Sequence, residues 1–224
     1  MRRIAILAAL VAACAAVAAT PAGATNECRG LQICVPVAGP WVVTPRSGVQ
    51  YQLSCPKRYI VAGLDAELAA RGIDVGFVGK LGSPVNPGIT TSQAALFLGR
   101  TVRGPTSSFR PHIGCVPASG GGGRTQTAYH PFPPSNPTTV RAVQVRVHAG
   151  TTRKTAHCST NESLVSATHA VAFYGDRPPS AALTNAINAT HRVHDNRVVL
   201  IVHASFAAAA ASAIVQVDLV CTPR

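Results

Sequence analysis

A pair of cysteines recurs at nearly the same interval along this chain, Cys55 with Cys115 and then Cys158 with Cys221. No other feature constrains the fold as much, because two covalent loops of similar size must each close on themselves. Other landmarks recur in the same order. Ile60-Val61 and Leu164-Val165 follow the opening cysteines, Val75 to Gly79 resembles Val171 to Gly175, and Cys115-Val-Pro117 resembles Cys221-Thr-Pro223. This order predicts two tandem copies of one unit.

The chain opens as an exported protein does. Arg2 and Arg3 precede an apolar run from Ile4 to Ala19, and small residues from Pro21 to Ala24 complete a secretory signal over residues 1–24, with cleavage after Ala24. The run is short for a membrane span, so the expected location is extracellular. A second possibility is a lipid anchor at Cys14, since Val11-Ala-Ala-Cys14 resembles a lipobox; against it, the residues after Cys14 stay apolar instead of forming a polar tether. Six cysteines remain beyond Cys14. An even number in an exported chain reads as disulfides, and the repeat selects Cys28–Cys34 as a local clasp, then Cys55–Cys115 and Cys158–Cys221. There is no Cys-x-x-Cys pair to favour a metal, and no cofactor motif.

Net charge is +12, and removing Arg2 and Arg3 from the 20 basic residues leaves 18 against 8 acidic ones, or +10. The arginine- and alanine-rich composition fits a GC-rich bacterial genome. The charge favours anionic polymers, and outside a bacterial cell these are teichoic-type phosphates, acidic glycans and lipid headgroups. Arg100, Arg103 and Arg110 form the best local basic group. Aromatic residues make up 5% of the chain, too few for the stacking surfaces of nucleic-acid binders.

Period-two patterns dominate. Val143, Val145 and Val147 alternate with Gln144 and Arg146, and Val215, Val217 and Leu219 alternate with Gln216 and Asp218, which predicts half-buried strands with the polar residues in water. Further strands are expected at 41–43, 49–54, 59–63, 73–79, 94–100, 108–115, 164–174 and 197–205, with a hairpin turn at Asp195-Asn196. Helix signals are confined to 64–71, 179–188 and 207–211. The fold class is therefore all-β, mainly antiparallel: tandem sandwich-like or small-barrel units with disulfides and few short helices. The Gly/Pro-rich stretch 119–137 reads as a linker between unit 1, 25–118, and unit 2, 138–224.

Candidate chemistry is thin. His191, His194 and His203 could approach one another to bind zinc, but on a strand His191 and His194 point to opposite faces. Asp65, Glu67 and Asp74 are the acids a hydrolase could use, in or near an insertion of the first unit. Ser54-Cys-Pro-Lys57 resembles the Ser-x-x-Lys motif of penicillin-binding proteins, yet the motifs that would accompany it stand in the wrong order. The sequence thus favours a non-enzymatic binding module for anionic envelope polymers or a surface protein. The alternatives are a secreted hydrolase acting on wall glycan or peptide, and an inhibitor-like module presenting the loop 83–91 to a protease.

Overall fold

A computed structural model of the chain describes residues 25–78, 93–118 and 138–224. The signal with Cys14, the loop 83–91 and the linker 119–137 lie outside the described residues. All described strand pairs are antiparallel. The first half contributes β1 (Val35–Ala38), β2 (Trp41–Thr44), β3 (Val49–Ser54), β4 (Tyr59–Leu68), β5 (Ile73–Val78), β6 (Ala94–Thr101) and β7 (Ser107–Pro117). The second contributes β8 (Thr139–Arg146), β9 (Gly150–His157), β10 (Glu162–Phe173), β11 (Ile187–His194), β12 (Arg197–Ala204) and β13 (Ala213–Pro223). Two single-turn helices, α1 (Ala181–Asn185) and α2 (Phe206–Ala210), begin where Ser180 and Ser205 accept backbone N–H groups as N-caps.

Both halves draw the same pairing scheme. In the first, β7 lies between β4 on one edge and β1 with β2 on the other, while β6 lies between β3 and β5. In the second, β13 lies between β10 and β8, and β12 between β9 and β11. Even the bulges match. Val61 stands opposite Cys115 and Leu164 opposite Cys221, and in each strand one extra residue, Ala62 or Val165, interrupts the ladder before pairing resumes. The strand β8 is continuous where its counterpart breaks into β1 and β2, because Gly39 and Pro40 intervene and proline has no N–H for the ladder. Two of the sequence landmarks are misaligned by this measure. Ile60-Val61 against Leu164-Val165 is one residue out of register, and Val75 lies on β5 whereas Val171 lies on β10, the counterpart of β4.

The disulfides are Cys28–Cys34, Cys55–Cys115 and Cys158–Cys221. Each long one ties the residue after β3 or β9 to the central strand β7 or β13, at the bulge.

The pairing assembles three layers. A seven-stranded main sheet runs β1-β7-β2-β10-β13-β8 with β4 on β7, and it crosses from one half to the other where Trp41 and Val42 pair with Phe173 and Ala172. A sheet β3-β6-β5 and a sheet β11-β12-β9 flank it. One core lies between the second flanking sheet and β13, with Val198, Leu200 and Val202 against Val215, Val217 and Leu219. The other combines Tyr51, Phe97, Phe109 and Ile113 of the first half with Ala170, Ala172 and Ile214 of the second.

That shared core overturns the half-buried reading of β13. Gln216 and Asp218 are each only 1% exposed, because β3 of the first half covers the face that the alternation assigns to water. The expected helix at 64–71 is corrected as well. Its leucines, alanines and glutamate are good helix formers, but Leu64 to Leu68 pair residue by residue with β7, and tertiary pairing overrides a propensity of tenths of a kcal/mol, roughly, per residue.

Candidate functional site

The second flanking sheet carries an unusual outer face. On β12, Val198, Leu200 and Val202 face the core, so Arg197, Val199, Ile201 and His203 face outward. The register extends this face across both neighbours, to Asn188, Thr190, Arg192 and His194 on β11 and to Thr151, Arg153, Thr155 and His157 on β9. At the hairpin end, His194, Arg197 and His157 stand side by side. The next rows are Arg192, Val199, Thr155 and then Thr190, Ile201, Arg153, and the last is Asn188, His203, Thr151. Three arginines and three histidines therefore share one face with no carboxylate at any strand position.

Local chemistry explains why these strands hold. Threonine, valine and isoleucine suit a pleated surface, and Asp195, at φ 53°, turns the hairpin between β11 and β12. Asn196 then anchors the hairpin to the main sheet: its Oδ1 accepts from the Leu164 N–H at 2.6 Å and its Nδ2 donates to the Glu162 carbonyl at 2.9 Å. Arg153, Arg192 and Arg197 are exposed and make no ion pair with a described residue. By contrast, Arg141 on β8 is bound through two nitrogens to Glu162 at 2.7 and 2.6 Å. This contact, with the Ser159 N–H, holds the Glu162 carboxyl down at about 2.

The equivalent face of the first half shows that the fold does not require this charge. There β6 presents Ala94, Leu96, Leu98 and Arg100, β3 presents Gln50, Gln52 and Ser54, and β5 presents Asp74 and Gly76. Its single arginine is neutralised by its single acid, Arg100 to Asp74 at 3.1 Å.

The residues singled out from sequence are scattered. His191 faces inward and meets His169 of β10, Nδ1 to Nδ1 at 2.7 Å. His194 pairs with Asp195 at 2.6 Å and His203 with the Thr151 hydroxyl at 2.8 Å, so the three candidates for a zinc site have separate partners. Among the described residues the one cluster of three potential ligand atoms is Cys158, Glu162 and Cys221, whose two sulfurs are bonded to each other. The group Arg100, Arg103 and Arg110 is not a free patch either, since Arg100 binds Asp74 and Arg110 donates to the Gly39 carbonyl at 3.0 Å.

The candidate acids are also divided. Asp65 and Glu67 share one face of β4, on a strand rather than an insertion loop, while Asp74 lies on β5 in another sheet. Asp65 accepts the Asn26 N–H at 2.6 Å and the Ala66 N–H at 2.8 Å. Glu67 lies 3.8 Å from His112, a buried histidine whose other ring nitrogen is 3.7 Å from the buried Glu27. Sequence reading missed Glu27 and His112, which nothing in the local pattern marks.

The chain matches no protein-family model, and neither a curated protein nor a solved structure is significantly similar to it.

Proposed function

We propose that the protein is a non-enzymatic extracellular module that binds anionic envelope polymers on the outer face of β11-β12-β9. One observation carries the reading: that face concentrates Arg153, Arg192 and Arg197 with three histidines and no strand carboxylate, while the matching face of the first half is neutral. A broad, shallow sheet surface suits an extended polymer better than a small substrate, which needs a concave pocket. The cations are spread over adjacent strands about 4.8 Å apart and over outward steps of about 6.7 Å along each strand. Successive charges of a flexible polymer can engage such an array. Because only one half carries it, the module is expected to be monovalent and to gain nothing from its tandem form through avidity.

The test is co-sedimentation of the oxidised protein with wall sacculi, with and without their anionic polymers, across a salt series. Binding should require the polymers and weaken steeply above about 0.15 M salt, where the screening length is about 8 Å. Replacing Arg153, Arg192 and Arg197 together by alanine removes three exposed contacts of about 0.5–1 kcal/mol each and should weaken binding roughly tenfold to a hundredfold. No binding at low salt, or a triple variant that binds like the parent, would overturn the proposal.

A further inference from the structure

We infer that His157, His194 and His203 make polymer binding acid-strengthened, so that the module holds anionic polymers more tightly near pH 5.5 than near pH 7.5. This rests on the binding face proposed above and adds its regulation. Imidazole is the side chain whose charge ordinarily changes between pH 5 and 8, and all three rings are exposed on a face already carrying three permanent cations.

The hydrogen bonds leave each ring able to take a proton. His157 donates from Nδ1 to the Cys158 carbonyl at 2.9 Å, which leaves Nε2 as the basic atom. His194 has Nδ1 on the Asp195 carboxylate at 2.6 Å, and a carboxylate accepts, so its Nε2 is again the basic atom. His203 shares Nδ1 with the Thr151 hydroxyl, which can either donate or accept and so tolerates both states of the ring.

Among the described residues no element packs over this face. The charged neighbours are Arg197 between His194 and His157, Arg192 two residues before His194, Arg153 diagonal to His203, and Lys154 beside it on β9. Among the described residues Asp195, in the hairpin turn, is the acid beside the face; Glu162, which accepts from the Ser159 N–H nearby, is bound to Arg141. Full protonation takes the strand positions from three positive charges to six. In the absence of ligand these cations repel one another, and a polyanion removes that repulsion, so proton uptake and polymer binding reinforce each other.

The experiment measures binding of the full mature protein to poly(glycerol phosphate) and to polygalacturonate at pH 5.5 and 7.5, at constant ionic strength, for the parent, a His157→Gln/His194→Gln/His203→Gln variant and the triple arginine variant. Circular dichroism at both pH values confirms folding. A phosphodiester keeps its charge across this range, so a change with that probe originates in the protein; the second probe tells phosphate from carboxylate preference. The parent should bind the phosphodiester about tenfold more tightly at pH 5.5, and the histidine variant should bind equally at both pH values, near the parent's pH 7.5 level. A parent with the same affinity at both pH values, or a histidine variant that keeps the acid gain, refutes the inference while leaving the binding face standing. Binding of neither probe at either pH removes both.

Discussion

Asp218 is the residue whose surroundings differ most from what its neighbours in sequence imply. It sits in β13 at 1% exposure with both carboxylate oxygens unpartnered among the described residues, and burial pushes its carboxyl up to about 7. Two residues away, Gln216 is equally buried but satisfied: its Oε1 accepts from the Gln52 N–H at 2.7 Å and its Nε2 donates to the Gln52 carbonyl at 3.0 Å, as a neighbouring strand would. The folded protein thus retains a proton on Asp218 that the unfolded chain loses near 3.8. Its contribution to stability is complete below about pH 4 and is lost as pH rises through about 7, on the order of 4 kcal/mol in all. His169 acts at the other end. Burial, then the neighbouring His191, holds its imidazole below the usual 6.5, so its contribution is present above that value and is lost as pH falls. In urea titrations Asp218→Asn should gain roughly 2–4 kcal/mol over the parent at pH 8 and less than half of that at pH 5. An unchanged difference between the two pH values would show that the carboxyl does not titrate as placed.

Among the elements, β4 and its cover show which features sequence conveys. The cysteine frame is legible because covalent pairing depends on residue identity, and the valine alternation of β8 and β13 is legible because it reports strand period. The edge strands β9 and β11 are not: Gly150 to His157 and Ile187 to His194 have polar, basic sequences that resemble loops, since an edge strand under a single core face needs few apolar residues. Those two strands carry most of the proposed binding face, so the pattern that hid them is the one that makes them interesting. On β4, Gly63 admits the N-terminal clasp. A Cβ there, or at Gly114 beside it on β7, would overlap the Glu27 carbonyl. Gly63→Ala should therefore expel residues 25–34 from the sheet, lower stability by about 1–3 kcal/mol and speed tryptic cleavage at Arg29. Gly76→Ala on β5, where a Cβ meets nothing within 4 Å, should leave both unchanged. Equal effects of the two substitutions would mean that the clasp is not held at Gly63.

At the scale of the molecule, the question is whether the two similar halves behave as two domains. A sequence with a Gly/Pro-rich linker suggests that they do, and a linker's composition says nothing of the contacts made on either side of it. Those contacts are extensive: Trp41 and Val42 of β2 pair with Phe173 and Ala172 of β10, and the first half's core includes side chains of the second. The free outer edges do not repeat the joint. Equivalent register positions carry Gln144 in place of Trp41 and Ala70 in place of Phe173, so among the described residues the apolar seam occurs once. Trp41 is the only tryptophan, is 1% exposed and sits at this seam, where its fluorescence reports separation of the halves directly. If the halves share one core, separating them exposes apolar surface in both, and neither is expected to remain folded alone. Tryptophan fluorescence and far-ultraviolet circular dichroism should then follow a single, coincident urea transition with the disulfides intact. A fluorescence change that precedes loss of β signal would show the halves parting while still folded. In that case the seam is a docking contact between domains, and the buried state of Gln216 and Asp218 depends on that contact instead of on the fold.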